Sequence, residues 1–289
     1  MTYRLKTPLL QSLSYQDLIL DDNVSTEGVT SDRILARMKD LVLSIGKTVL
    51  TNTKYFKDDF KRSEFQAFVD GHKSQLDLFL RSPAYQMPHV SVPVPEGMRV
   101  PYPTVTTTIA KQLASYNLTE IYHALDQGTD VISSFKGENS DQINAKLKEI
   151  ITSIDKYDLH IVETEKTVRE LFSKTPIVIM SATEAFINKE GISTSCNQVL
   201  SFNNIFRQMN SLKDGVETIH KKIDRIVTQI EEKQNDNPVP KDLLKSYGQI
   251  ISISGQAVDH FGLVLHESQR VEHMFTAAIA LILKHSIPQ

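Results

Sequence analysis

The chain has 289 residues, a formal net charge of −3 and a pI near 6.3. Nucleic-acid-binding proteins concentrate lysine and arginine to neutralise phosphates, so this charge balance argues against a specific nucleic-acid partner. A single cysteine, Cys196, excludes an intramolecular disulfide, and the small number of glycines, 11 in all, favours helices over sheet.

The N-terminal part is predicted to contain two segments. Residues 1–28 form a weakly patterned leader that ends in a polar cluster, which is typical of a linker. Residues 29–82 form an N-terminal helical unit. Its first helix is predicted to start near Ser31, because four apolar residues follow at spacings of four and three: Ile34, Met38, Leu41 and Ile45. Gly71 predicts a break before a shorter helix.

Residues 83–103 are predicted to be an extended connector. Six of the 11 prolines lie in this segment: Pro83, Pro88, Pro93, Pro95, Pro101 and Pro103. Each proline removes a backbone donor and biases the preceding residue towards extended backbone, so a helix cannot cross the segment. A short edge strand around Val90 to Val94 is compatible with the same pattern.

Residues 104–289 are predicted to form the main helical bundle. The periodic apolar positions place its helices at about 104–115, 119–135, 140–172, 197–233 and 242–284. A β-branched run, Thr175 to Met180, interrupts this series. The run is short enough to be either a strand or a buried connector.

The clearest helical pattern belongs to the fourth of these helices. Nine successive apolar residues follow the three-four spacing of a coiled-coil seam: Phe202, Ile205, Met209, Leu212, Val216, Ile219, Ile223, Ile226 and Ile230. We refer to these nine residues as the seam. Isolated helices gain little stability from propensity alone, so the seam is expected to associate with another helix. Its partner is either the 141–172 helix or another subunit.

The last two helices are expected to form an antiparallel hairpin, because a short turn joins them. At 1.5 Å per residue they would be roughly 55 and 60 Å long. The apolar stripe of the final helix includes three small residues that allow close approach of a partner helix: Ser254, Ala257 and Ser268. Gly248 and Gly255, seven residues apart on the same helical face, also suggest close helix packing. The sequence therefore predicts an all-α fold, an elongated bundle of long heptad-patterned helices with a C-terminal antiparallel hairpin and a Pro-rich connector.

No catalytic, cofactor-binding or metal-binding set of residues emerges from the sequence. Phosphate-binding glycine loops and the common zinc and nucleophile motifs are absent. His266 and His273 are seven residues apart, about 10 Å along a helix, which is too far for one metal ion without ligands from elsewhere. Cys196 is expected at a helix start, which can lower a thiol pKa, but no histidine is nearby in sequence. The chain is therefore expected not to be an enzyme.

A short motif, Ser25-Thr26-Glu27-Gly28, lies in the polar linker before the first predicted helix. One interpretation is a turn with capping residues. The motif also resembles the sites that maturation proteases of large tailed bacteriophages cut at the end of propeptides of internal head proteins. The segment Val92 to Met98 is similar to segments of phage virion proteins. The resemblance implies that the protease reads Ser25 and Glu27 and cuts the Glu27–Gly28 bond.

These observations lead to one main functional hypothesis and two alternatives. The main hypothesis is a virion structural or assembly protein of a large tailed phage, located in the virion or the host cytoplasm. It would act through helix–helix association with itself or with other virion proteins. The first alternative is a cellular helical adaptor that uses its C-terminal hairpin as a docking surface, which an exposed patch along Phe202 to Ile230 would indicate. The second is a membrane-active helical protein that exposes Met274 to Leu283, although this stretch is about half of the roughly 20 residues that a membrane span requires.

Overall fold

The computed structural model describes residues 31–59, 63–115, 118–137, 139–171 and 179–288. Helices dominate this part of the chain, which confirms the predicted all-α class. The helices are α1 (Ser31–Asp59), α2 (Glu64–Arg81), α3 (Tyr102–Ser115), α4 (Leu118–Ser133), α5 (Ser140–Leu171), α6 (Ala182–Phe186), α7 (Lys189–Asp236) and α8 (Lys241–His285). Two short strands, β1 (Ser91–Pro93) and β2 (Ile179–Ser181), complete the described elements.

The helix α2 has a defined start and a kink. Ser63 is its N-cap, and the Ser63 hydroxyl accepts a hydrogen bond of 3.0 Å from the backbone N–H of Gln66. The break predicted at Gly71 is a local kink, since His72 has non-helical backbone angles, φ −123° and ψ 15°, and the helix continues beyond it. The first helix begins where it was predicted, at Ser31. A second helix was expected at about Lys57 to Phe68, but Lys57 belongs to α1 and α2 begins at Glu64.

The proline-rich segment contributes one strand of a small antiparallel sheet. In this sheet Val92 of β1 pairs with Met180 of β2, so the two candidate strands of the sequence are partners. The segment then turns between Pro95 and Met98, where the Met98 N–H donates 3.0 Å to the Pro95 carbonyl. Gly97 occupies the turn position that requires a positive φ and has a φ of 83°.

The start of α7 differs from the prediction, because the helix begins at Lys189 rather than near Asn197. Its first turn is apolar only at Ile192, so the periodic pattern did not reveal it. Asn188 caps the helix, since its side-chain oxygen accepts 2.9 Å from the Gly191 N–H. The short helix α6 precedes it and was not predicted. A reciprocal capping box between Ser181 and Glu184 holds the start of α6.

The corner between α6 and α7 is a strained turn centred on Ile187. This residue has φ 70° and ψ −58°, and the Asn188 N–H donates 2.8 Å to the Phe186 carbonyl two residues before it. These features define a γ-turn with positive φ, which is the rare and strained form of this turn. Gly191 packs so closely behind the corner that a Cβ there would lie 2.0 Å from the Phe186 carbonyl oxygen.

The chain divides into two compact units, each assembled from three separated segments. The first unit consists of Met1–Tyr55, Asn117–Val162 and Ser211–His260, and the second consists of Phe56–Tyr116, Glu163–Asn210 and Phe261–Gln289. The predicted segments 1–28, 29–82, 83–103 and 104–289 stay a prediction, because these units group residues by contact rather than by chain order.

Each unit has its own apolar core. In the first unit, the described core is formed by helices and includes Met38, Ile45, Leu125, Leu147, Ile223 and Tyr247. In the second unit, helices and the small sheet share a core that includes Phe65, Val92, Tyr102, Phe186, Phe202 and Phe275. The apolar residues predicted to face inward along α1, namely Ile34, Met38, Leu41 and Ile45, are buried.

Candidate helix-association site

The seam is buried wherever the structure describes its side chains. Five of its nine members have 0% of their surface exposed: Phe202, Ile219, Ile223, Ile226 and Ile230. The side chains of the other four lie outside the described residues: Ile205, Met209, Leu212 and Val216. Within one chain, the described part of the seam is therefore already covered by protein.

Ile226 identifies two of the helices that contact the seam in the first unit. A Cβ added to Gly128 of α4 would lie 3.4 Å from Ile226 and 3.8 Å from the Tyr247 ring of α8. The Tyr247 hydroxyl donates 3.1 Å to the Gly128 carbonyl, and burial raises the pKa of this hydroxyl. The α4 backbone at Gly128 therefore packs directly against side chains of α7 and α8.

Polar contacts border the same interface. Lys222 of α7 pairs with Asp126 of α4, and Glu231 pairs with Lys39 of α1. Lys233 donates 3.2 Å to the Phe135 carbonyl. Exposed ion pairs typically contribute about 0–1 kcal/mol each, so most of the stabilisation must come from the buried seam.

Glycines allow close approach at two further positions of the first unit. A Cβ on Gly46 of α1 would lie 2.7 Å from the His220 ring of α7. A Cβ on Gly255 of α8 would lie 2.6 Å from Ile45 of α1, whereas one on Gly248 would meet nothing within 4 Å. The sequence suggested that Gly248 and Gly255 both serve close packing, and the structure assigns this role to Gly255 alone.

An aromatic cluster forms the centre of the second unit. The Tyr102 ring stacks on Phe186 at 4.9 Å between centroids, and Phe275 of α8 meets both rings edge-on, at 5.4 and 5.8 Å. Phe65 of α2 contacts Phe275 at 4.9 Å. The Tyr102 hydroxyl donates 3.0 Å to the Pro93 carbonyl, which ties the cluster to β1. Burial raises the pKa of Tyr102, so this hydroxyl stays a donor.

A buried carboxylate joins α8 to the start of α2 in the same unit. One oxygen of Glu272 accepts hydrogen bonds from the Ser63 hydroxyl and from the Phe65 N–H, the latter at 3.1 Å. Glu272 is 6% exposed. Burial raises its pKa, the two hydrogen bonds act in the opposite direction, and the charge of Glu64 raises it further. The pKa of Glu272 is raised overall.

A second glutamate of α8, Glu267, has the opposite behaviour. The Arg270 guanidinium forms an ion pair of 2.6 Å with Glu267 and donates a hydrogen bond of 3.1 Å to the Glu96 carbonyl. The His266 ring lies 3.8 Å from Glu267. Burial by itself would raise the pKa of Glu267, but the adjacent His266 ring and the charge of Arg270 lower it overall. The sequence pattern drew attention to the two histidines, and no sequence signal marked either glutamate as a structural group.

The two histidines of α8, His266 and His273, each lie beside a different carboxylate. The His273 ring lies 2.9 Å from Glu64 of α2 on an exposed surface, and His266 lies beside Glu267. Among the described residues, no group of three or more histidine, cysteine, aspartate and glutamate side chains could hold a metal ion.

Cys196 is inside α7 and not at its first turn, so the expected helix-start position is wrong. Its side chain is buried, and burial raises the pKa of the thiol to about 12. A thiol that stays protonated and covered is a poor nucleophile. Cys196 therefore acts as a small apolar residue of the core.

Met274 to Leu283, the most apolar stretch of the sequence, lies within α8. Most of its side chains are buried in the second unit, including Phe275, Ala278, Ile279 and Ile282. In the described part of the chain, no helix combines the length and apolar character needed to cross a bilayer.

The suggested processing residues Ser25, Glu27 and Gly28 lie outside the described residues. Comparison with known proteins gave no family model, no curated protein and no solved structure that matches the chain significantly.

Proposed function

We propose that the chain is a non-enzymatic structural or assembly protein of a large tailed phage virion. The observation that carries the structural role is the seam, whose described side chains are fully buried against the chain's own helices. Side chains buried in this way hold the helices within each unit in place, which is what a structural protein requires. Association with other virion proteins, or with a second copy, would then use surfaces other than this part of the seam.

The titratable groups with shifted pKa values support a structural role. Tyr102 and Tyr247 donate to backbone carbonyls, Cys196 is enclosed in the core, and Glu272 joins two helices. Perturbed groups gather in a cleft when they serve catalysis. In these four groups burial is the main cause of the raised pKa, and the contacts described for them are structural.

The phage assignment is supported by the Ser25-Thr26-Glu27-Gly28 motif, and intact-mass measurement tests it. Protein from mature particles is expected to lack residues 1–27, while protein expressed alone retains them. A Glu27→Ala variant, incorporated into particles, is expected to keep the full-length mass because the protease no longer reads the site. A full-length mass for the unaltered protein from mature particles would contradict the processed-head-protein assignment.

A cellular helical adaptor is the second candidate, and two exposed apolar residues favour it. Ile179 of β2 and Ile187 of the α6–α7 corner are 66% and 59% exposed, although both are large and apolar. Crosslinking in cells, with a photoreactive group at position 187 and another at the exposed polar position Thr183, distinguishes the candidates. An adaptor would give a partner protein at position 187 and none at position 183.

A further inference from the structure

The junction between α2 and α8 contains two carboxylates and one histidine within a few residues of each other. Glu272 is buried and uses a single oxygen to accept both the Ser63 hydroxyl and the Phe65 N–H. Beside it, on the surface, Glu64 contacts the ring of His273 at 2.9 Å. The contact is anchored by Phe65, which is completely buried and packs edge-on against Phe275.

Within the part of the chain that the structure describes, no basic side chain contacts Glu272, and the carboxylate of Glu64 acts on it as a like charge. The helical N–H groups favour the ionised form, but burial and a neighbouring like charge favour the protonated form. Because one oxygen accepts both hydrogen bonds, the other oxygen can carry a proton without loss of either bond.

We propose that docking of the α2 N-terminus onto α8 is linked to proton uptake by Glu272, so that acidification tightens the contact and alkalisation loosens it. This proposal goes beyond the structural role and does not depend on the phage assignment.

The direction of the effect follows from proton binding in the two states. The folded pKa of Glu272 is higher than that of the exposed group. Between these two pKa values the docked state binds more protons than the undocked state, so docking weakens as the pH rises. Above the folded pKa, Glu272 is ionised in both states. Burial of its charge then weakens docking by an amount that no longer changes with pH.

Hydrogen exchange of the first α2 amides, in the full chain, measures this linkage. The protection factors of the Phe65, Gln66 and Ala67 amides, corrected for the intrinsic pH dependence of exchange, are expected to be several-fold higher at about pH 5 than at about pH 8. Glu272→Gln keeps an acceptor oxygen and has no charge. It is expected to remove most of the pH dependence and to keep the high protection at both pH values.

Glu267→Gln is the matched control, because Glu267 is on the same helix, is partly buried and has a lowered pKa. It is expected to leave the pH dependence of the α2 amides unchanged. His273→Gln removes the surface pair alone and is expected to leave the pH dependence in place. Ser63→Ala removes one donor to the ionised carboxylate, so the pH at which protection falls is expected to move upward.

Two results would overturn the proposal. One is a Glu272→Gln variant that folds, as judged by circular dichroism, and keeps the pH dependence of the unaltered chain. The other is protection in the unaltered chain that is constant or rises with pH. If Glu272→Gln does not fold, Ser63→Ala serves as the test. The pH at which its α2 protection falls by half must then be higher than in the unaltered chain, and an equal or lower value counts against the proposal.

Discussion

At the scale of single residues, Ile187 combines two unfavourable features. Its backbone has a φ of 70°, which β-branched residues rarely adopt, and its side chain is 59% exposed. Strain of this kind costs about 1–3 kcal/mol, and the surrounding structure must hold it in place. Here Phe186 on one side is buried in the aromatic cluster, and Asn188 on the other caps α7.

Replacement of Ile187 tests this strain directly. Ile187→Gly is expected to raise the free energy of unfolding by about 1 kcal/mol, because relief of the strain exceeds the entropic penalty of glycine. Ile187→Ala has the same backbone restriction and is expected to change stability little. Urea unfolding monitored by circular dichroism measures both variants. A glycine variant less stable than the alanine variant would contradict the strain at this corner.

Glu267 and Glu272 show how far the surroundings decide a residue's chemistry. They are five positions apart on one helix and both are largely buried, yet their pKa values move in opposite directions. The difference lies in their neighbours, since Arg270 and His266 approach Glu267 while Glu64 approaches Glu272. The local sequence of α8 supplies the basic neighbours of Glu267, whereas the like charge beside Glu272 comes from another helix, α2.

At the scale of the elements, α8 provides a matched pair of glycines. Gly255→Ala is expected to lower stability by about 1–3 kcal/mol, because the new methyl group would meet Ile45 at 2.6 Å and force α1 and α8 apart. Gly248→Ala meets nothing within 4 Å and is expected to raise stability by about 0.5–1 kcal/mol, the usual helix-interior gain. Thermal unfolding of the two variants checks the pair. Equal effects would show that α1 does not approach α8 at Gly255.

The α7 seam contributes four fully buried isoleucines to the core of the first unit: Ile219, Ile223, Ile226 and Ile230. Ile226→Ala is expected to cost about 2–5 kcal/mol, because the residue is fully buried and a cavity would remain between α7, α4 and α8. Leu43→Ala removes a similar side chain that is 62% exposed, and it is expected to cost less than about 0.5 kcal/mol. Denaturant unfolding gives both values. A mild effect of Ile226→Ala would mean that the seam is not packed within the chain.

At the scale of the whole molecule, the two compact units use their helices differently. The first unit packs helices against helices, with glycines at the closest approaches. The second unit adds a two-stranded sheet and an aromatic cluster, and it contains the proton-linked contact proposed for Glu272. A structural protein that responds to pH would do so through the second unit.

The sequence by itself determined the helical class and the approximate helix positions. Heptad spacing is a local property, so it identified the α7 seam, the stripe of α1 and the proline-rich interruption. It also marked both candidate strands, since β-branched residues and prolines disfavour helix within a few positions of themselves. Heptad spacing did not predict the corner at Ile187 or the early start of α7, because neither segment has periodically spaced apolar residues.

Only the tertiary structure decided which segments meet and in what surroundings. The pairing of β1 with β2, the covering of the seam by α4 and α8, and the burial of Glu272 beside Ser63 all join residues that are far apart in the chain. Burial and the electrostatic surroundings of a group are sums over such distant neighbours. For that reason the pattern could mark Glu272 as a helical residue, but not as a carboxylate whose proton affinity depends on the docking of another helix.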